Sequence, residues 1–515
     1  ATSLHVSRLR LPGLLPHGLE SFEMSSMRIL SLRVAIIVVA GLGIGWMVSQ
    51  GYFFWLGAVG FVVALALCVV RPILASSLVL SFAFIIGNLL PPVMEVGEFT
   101  IRYIDGAVAL LSFAIFLRLS IQRRKLIEKE WWSIFRPLFP FLIYVGMSLG
   151  LVWIYVPDFL SVSVASYVRL VVTVLLGFLI YMSLETKKDV WLFTRLIVMF
   201  AAMSIIVGTW EALASPQKEA VVAGRYGGLL AINTFGLVAG LLVIWAVIGR
   251  KSGKPMPSWV IPLLIGLLGL FLSKSGGSIL ATIGAILFFW IAFGRKGSAH
   301  GAWLMRLVLG AVVGGAVAVW ALWLLRPADL AALVSLSGGS FAQRAMIAYG
   351  ALQIFLSHPL WGVGWQASKT KAIIGDPTLN EMLMQAFPKL PAHYFFLENP
   401  TSLHNLYMQL LAELGIVGFS LFVYGVAHIG KTIARILKQF PYQSPFRQLS
   451  LFNAIGLVYL LIWWNTNALF GGQTESILAV TFLSSLAALW RLQRQNYKRK
   501  RYANLNTSLT EKGLF

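Results

Sequence analysis

Of 515 residues, 58% are hydrophobic and 12% charged, with a mean hydropathy of +0.81; this balance excludes an ordinary soluble domain and fits repeated bilayer-crossing helices. The formal charge of +22 lies in short basic clusters between apolar runs and at the C-terminus, a pattern that orients a membrane protein and argues against a nucleic-acid-binding face. One cysteine, Cys68, sits inside an apolar run, which excludes a disulfide framework and a thiolate metal site.

In chain order, residues 1–26 are polar, with Arg8 and Arg10, and read as a disordered tail. The first apolar run is long enough to span and is followed at once by another, so no cleavable signal peptide is expected. Apolar runs predict fourteen spans, at 29–48, 52–70, 73–90, 102–117, 137–156, 162–183, 190–212, 228–249, 258–273, 277–294, 304–325, 404–428, 449–468 and 474–490. The expected fold class is an all-α polytopic membrane protein of about 12 to 14 transmembrane helices. Its parts are eleven spans over 27–325, a large polar loop over 326–403, three spans over 404–490 and a basic tail over 491–515.

Every second connection is basic. Arg71 is followed by Arg118, Arg123, Arg124, Lys125, Lys129 and Arg136, then by Lys187 and Lys188, and then by Arg250, Lys251 and Lys254. Arg295, Lys296 and Arg306 come next, and Lys431, Arg435, Lys438 and Arg447 after them. With the two ends, most of the 41 Lys and Arg residues fall on one side, which the positive-inside rule assigns to the cytoplasm, placing both termini there. The alternate connections, including 91–101, 214–227 and the long loop, then face outward. Polar motifs of separate loops thus share one side of the membrane, where they could build one site. The basic linker 119–135 reads either as an amphipathic surface helix or as a solvated loop anchored by Trp131 and Trp132.

Three outward motifs carry candidate chemistry. Arg225 stands in A-G-R-Y-G-G-L-L-A-I-N-T-F-G; flanking glycines let a guanidinium approach a phosphate closely, and its donor fork suits that geometry. Taken alone, it reads more readily as an interfacial arginine reaching for headgroups. Arg344 lies in G-G-S-F-A-Q-R-A-M-I-A-Y-G-A-L-Q-I-F, whose helical period lets Phe341, Met346 or Ala345, Ala348 and Leu352 face apolar surface. His404, in S-L-H-N-L-Y at the mouth of a span, has the residue type of a general base for an attacking hydroxyl, or of a helix cap. Glu413, further into that span, reads as a bond to a neighbouring helix. His358, His393 and His404 have no metal-ligand spacing, Asp376, Glu381 and Glu398 are scattered, and no P-loop, dinucleotide fingerprint or nucleophile elbow occurs. No cofactor is implied.

The stretch from Arg344 through H-P-L-W-G-V-G to S-L-H-N-L-Y-M-Q-L-L-A-E-L-G-I-V-G resembles the signature region of the O-antigen ligase and O-antigen polymerase superfamily. R-Y-G-G-L-L-A-I-N-T-F-G looks like that family's other outward motif. The resemblance implies a metal-independent, inverting glycosyltransferase of the membrane-embedded C type (GT-C) in the inner membrane, serving cell-surface polysaccharide or lipopolysaccharide biosynthesis. Its donor would be a glycan on undecaprenyl pyrophosphate, and its acceptor a glycan or lipid-linked hydroxyl on the periplasmic side. Carried over by motif, Arg225 and Arg344 hold the pyrophosphate and His404 positions or deprotonates the acceptor. Asn233, Gln343 and Asn405 support through hydrogen bonds. Where the family often has a Ser-Arg pair at its tenth span, Ser275 is followed by Gly276, so that Lys274 supplies the cation or the donor differs.

Polymerase and ligase both fit these motifs. A transporter, linked in some relatives to bicarbonate uptake, is the alternative; it calls for ionisable residues at midplane, whereas Arg169, Arg195 and Glu211 lie nearer span ends. A structural scaffold would leave Arg225, Arg344 and His404 without a common cavity.

Overall fold

The computed structural model describes residues 65–86, 94–96, 99–101, 103–122, 129–214, 221–222, 225–226, 230, 232–251, 255–293, 339–396, 403–441, 444–466 and 473–511. All of these from Cys68 onward belong to one compact unit. The expected tail 1–26, the spans 29–48 and 304–325 and most of 52–70 lie outside the described residues.

The helices are α1 (Pro72–Ser81), α2 (Tyr103–Gln122), α3 (Lys129–Phe135), α4 (Phe139–Tyr155), α5 (Leu160–Ser183), α6 (Lys187–Ala214) and α7 (Ile232–Lys251). They continue with α8 (Pro257–Ser273), α9 (Gly276–Phe293), α10 (Gly339–Ser357), α11 (Pro377–Ala386), α12 (Leu406–Gln439), α13 (Pro445–Trp463) and α14 (Gln473–Glu511). Two small antiparallel hairpins, β1 (Met94–Val96) with β2 (Phe99–Ile101) and β3 (Val221–Val222) with β4 (Arg225–Tyr226), interrupt them. Among the described residues, eight helices are long and apolar enough to cross a membrane and three shorter apolar ones accompany them, matching eleven of the fourteen predicted spans. Large apolar side chains such as Met147, Trp153, Trp210 and Trp290 are mostly exposed, as helices facing hydrocarbon require. The chain is an all-α polytopic membrane protein.

α7 is the centre of the bundle, with nearly every residue from Thr234 to Gly249 buried. Small residues make that possible, since helices in lipid gain most by close backbone approach. A Cβ on Gly266 or Gly269 of α8 would press on Ala239, and one on Gly240 would collide with Tyr459 of α13 and Thr282 of α9. The Tyr459 hydroxyl donates to the Leu237 carbonyl at 3.0 Å, closing that contact.

The linker 119–135 resolves into a continuation of α2 to Gln122 and the short α3. Trp131 is buried and stacks on Phe135, with Tyr181 beside it, whereas Trp132 is exposed, so α3 is anchored in the bundle through Trp131; residues 123–128 lie outside the described residues. α14 runs on through the basic stretch to Glu511.

The described part of the long loop is folded, with its own core. Ala342, Met346, Ile347, Ala351 and Ile354 of α10 pack with Val363, Ile374, Leu383, Phe396 and Leu403, and with Val152 and Val156 at the end of α4. The buried face of α10 is therefore turned from the predicted one. Met346 lies on it, but Leu352 is exposed and Ala345 and Ala348 are half-buried, because the face is chosen by the neighbours α10 packs against, α12 foremost and then α11. Asp376 caps α11 through the Leu379 amide at 2.9 Å, with Pro377 in the first turn. Asn380, wholly buried, donates to the carbonyls of Ile374 and Asp376 and accepts from the Phe396 amide at 3.0 Å, fastening both ends of the loop.

α12 is broken at Gly415, whose φ is +62°. The broken turn takes its partners from H-P-L-W-G-V-G: the amides of Val363 and Gly364 donate to the carbonyls of Ala412 and Glu413, and those of Ile416 and Val417 donate to the carbonyls of Pro359 and Leu360. Tyr144 of α4 supplies a hydroxyl to the Leu414 carbonyl at 3.1 Å. A Cβ on Gly362 would strike the Glu413 carbonyl and one on Gly415 would strike that of Leu360, and both glycines adopt left-handed backbone. The glycines of this motif let one backbone lie against another.

Candidate functional site

Leu403 to Tyr407 of S-L-H-N-L-Y form the mouth of α12; Ser402 lies outside the described residues. Leu403 and Leu406 are buried and fix the approach of the chain. Asn405 caps the helix, its Oδ1 accepting from the amides of Tyr407 at 3.0 Å and Met408 at 3.2 Å, as an asparagine at this position does. Its Nδ2 donates to Asn465 Oδ1 at 3.1 Å, and the Tyr407 hydroxyl donates to the Leu461 carbonyl at 2.6 Å, tying the mouth to α13.

Between these anchors His404 takes left-handed backbone, φ +43°, a conformation that costs a non-glycine residue about 1–3 kcal/mol and persists only where its surroundings enforce it. Burial lowers its pKa below the ordinary 6.5, and the nearby positive charge of Arg344 lowers it further. The imidazole is neutral at neutral pH and can accept a proton. Arg344 and Gln343 are half-buried on the first turns of α10.

Asn233 opens α7, and its Oδ1 accepts from Ser275 Oγ at 3.3 Å. Ser278 Oγ lies 3.3 Å from the Asn233 carbonyl and 3.1 Å from Ser275 Oγ, and accepts from Trp463 Nε1 at 3.1 Å. Lys274 sits in the two-residue turn between α8 and α9, also left-handed at φ +44°, with its amide donating to Leu270. Gly277 at the start of α9 leaves just enough room for Thr466. The α8–α9 turn thus meets the turn after α13, whose Asn465 reaches Asn405.

Of the predicted residues, His404 and Arg344 come within electrostatic reach of each other. Asn233 bonds Ser275 in the α8–α9 turn that also holds Lys274, and Gly277 just after that turn packs on Thr466, the neighbour of the Asn465 that bonds Asn405. Gln343 adjoins Arg344 on α10. Arg225 occupies β4, which packs beside α8; its side chain lies outside the described residues. Asn405 spends both ends of its amide on protein partners, capping α12 and bonding Asn465. Sequence reasoning missed Asn465 and Ser278, and gave no bonding role to Ser275 or Tyr407; for Asn465, W-W-N-T, polar residues closing an aromatic span end, was the available signal.

Glu413, wholly buried, accepts from the Gln366 amide at 2.9 Å, from Ser368 Oγ at 2.5 Å and from Gln409 Nε2 at 3.1 Å. It binds the loop to the broken helix rather than bonding a neighbouring helix. Among the described residues, no three His, Cys, Asp or Glu side chains gather as a metal site.

A comparison with curated proteins finds no match. A family model described as O-Antigen ligase matches residues 261–423, from α8 through the loop and across the break in α12. That region contains Lys274, Gln343, Arg344, His404, Asn405 and Glu413, whereas Arg225 and Asn233 precede it. The chain is thus a multi-pass membrane protein in which residues 261–423 are similar to the O-antigen ligase family.

Proposed function

We propose that the protein transfers a glycan from undecaprenyl pyrophosphate to an acceptor hydroxyl, on a glycan or a lipid-linked molecule, at the periplasmic face of the inner membrane. The observation that carries this reading is His404, held at a helix mouth where burial and Arg344 keep its imidazole neutral. The acceptor oxygen attacks the anomeric carbon as His404 takes its proton. The bond from that carbon to the pyrophosphate oxygen breaks, and its electron pair leaves with the lipid pyrophosphate. Attack opposite the leaving group inverts the anomeric configuration.

Charge grows on the pyrophosphate as the bond breaks, and fixed guanidinium groups stabilise it more in the transition state than before. Arg344 and Arg225 take that role, with Lys274 as a further cation and Asn233 and Gln343 as hydrogen-bond donors. No step needs a metal ion. Purified protein in lipid, given undecaprenyl-pyrophosphate glycan and a panel of acceptors, should form product and release undecaprenyl pyrophosphate. His404→Ala is expected to reduce kcat by roughly 10²–10⁴-fold, the usual contribution of a general base. Wild-type turnover by His404→Ala and Arg344→Ala overturns the mechanism; ion flux in the same vesicles without transfer supports the transporter reading instead.

A further inference from the structure

His358 to Gly364 run down α4 and back, and their contacts fix the level of each. The His358 ring stands edge-on to that of Tyr155, the last residue of α4, with 5.1 Å between centroids. Three positions later the Trp361 ring stacks on Tyr144 at 6.4 Å, and its carbonyl lies 3.5 Å from the Tyr144 hydroxyl. Gly364 then lies against the α4 backbone at Ser148 and Val152. Tyr155 and Tyr144 are roughly 16 Å apart along a helix that rises 1.5 Å per residue. After α10 the chain therefore dips beside α4 and returns.

The bottom of this dip lies within the hydrocarbon layer. Arg136 precedes α4, and Lys431 follows the apolar part of α12; both mark the side opposite the helix mouth. At 1.5 Å per residue, Tyr144 is roughly 12 Å from Arg136, and Gly415, whose broken turn the segment fills, is roughly 24 Å from Lys431. Both heights fall short of the ~30 Å that the hydrocarbon spans.

Irregular backbone survives at such depth only where its polar groups are paired with protein. Here they are. The carbonyls of His358, Pro359 and Leu360 accept from the amides of Gly362, Ile416 and Val417, and the amides of Val363 and Gly364 donate to α12. Pro359 has no amide hydrogen to satisfy. The side chains suit the same surroundings: Leu360 is 56% exposed and Trp361 55% exposed, and Leu356 is exposed on the last turn of α10. The helices that hold the turn, α4 and α12, likewise expose Ile143, Met147 and Ile416.

We propose that Pro359, Leu360 and Trp361 form a re-entrant turn seated among the acyl chains of the leaflet nearer His404, with Leu360 and Trp361 facing lipid. The partner of this apolar surface is the bilayer interior, not water and not a second protein. The turn sets the height of α10, and so of Arg344 on its first turns, above the membrane, whatever reaction the site performs.

Spin labels measure the depth directly. In a Cys68→Ser background, Leu360→Cys carries a nitroxide in phosphatidylcholine vesicles, with Met147→Cys on α4 as the lipid-facing reference and Lys389→Cys as the aqueous one. Oxygen concentrates in hydrocarbon, whereas a neutral nickel chelate stays in water. The ratio of oxygen to nickel collisions at Leu360 is expected to match that at Met147 and to exceed that at Lys389 several-fold. A ratio like that of Lys389 would make the turn a water-facing patch, and low collision with both reagents would show another part of the chain covering it; either result overturns the proposal.

A second measurement needs no substitution. Wild-type protein in vesicles containing phosphatidylcholine with a diazirine in its acyl chain is irradiated and digested. Adducts are expected on Leu360 and Trp361 as well as on the exposed face of α4. Labelling of α4 without the turn would sink the inference.

Discussion

At the scale of single residues, His404 is defined by what surrounds it. Its folded pKa lies below the ordinary 6.5, so its proton is lost more readily in the folded protein than in the unfolded chain. The acid limb of kcat/KM against pH should therefore fall below pH 6.5. Arg344→Gln removes one of the two causes, and the limb should move up towards the ordinary value even where turnover is weak. The linkage has a fixed sign: the unfolded chain binds the extra proton, so this group's contribution to stability is present above the ordinary pKa and is lost as pH falls through the folded one. A titration of His404 by NMR in wild type and Arg344→Gln checks the shift without substrate; an unchanged midpoint would refute the coupling.

Glu413 makes a contrasting prediction at the same scale. Both of its oxygens accept hydrogen bonds in a dry environment. Glu413→Leu removes the acceptor of the Gln366 amide, Ser368 and Gln409, and leaving buried donors unsatisfied costs about 1–3 kcal/mol. Thermal unfolding in detergent should fall accordingly. The loss should be one of stability, with the acid limb set by His404 left in place.

At the scale of elements, the break in α12 and the segment that fills it are one construction. Gly362→Ala or Gly415→Ala would drive a Cβ into opposing backbone and strain a left-handed position, so either should cost at least about 1–3 kcal/mol. The comparison is Gly430→Ala, in the same helix but facing open space, which should be neutral. Size-exclusion profiles and melting curves of the three variants decide the matter.

The same elements explain what was and was not legible in the sequence. Apolar runs give the spans directly, because a bilayer demands some 20 apolar residues in a row. His404 and Arg344 could be singled out because a long polar segment between spans leaves few other outward groups. The break at Gly415 was hidden: A-E-L-G-I-V-G reads as continuous helix, and a glycine within an apolar span is unremarkable. H-P-L-W-G-V-G looked like a site motif, yet its work is to supply backbone partners to residues fifty positions later, a pairing no local pattern encodes. The face of α10 was misjudged because period alone gives several stripes, and only its tertiary neighbours, α12 foremost, choose among them. Asn465 escaped notice because its partner, Asn405, is far away in sequence.

At the scale of the whole molecule, alternating basic connections predict on which side of the membrane the site lies. Cys68, the lone thiol, is buried, so Cys68→Ser gives a clean background. In it, Lys389→Cys in the loop should react with an impermeant maleimide added outside intact cells, and Arg435→Cys on α12 only after lysis. Both positions are exposed. The reverse result would invert the topology and with it the periplasmic placement of His404.

The backbone bonds between residues 359–364 and the interrupted helix also bear on how the protein tolerates cutting. A protease that severs the exposed chain at 388–389 would leave the upstream piece still grafted onto the downstream one through Val363, Gly364, Pro359 and Leu360. The severed halves should comigrate under native conditions and part only when denatured.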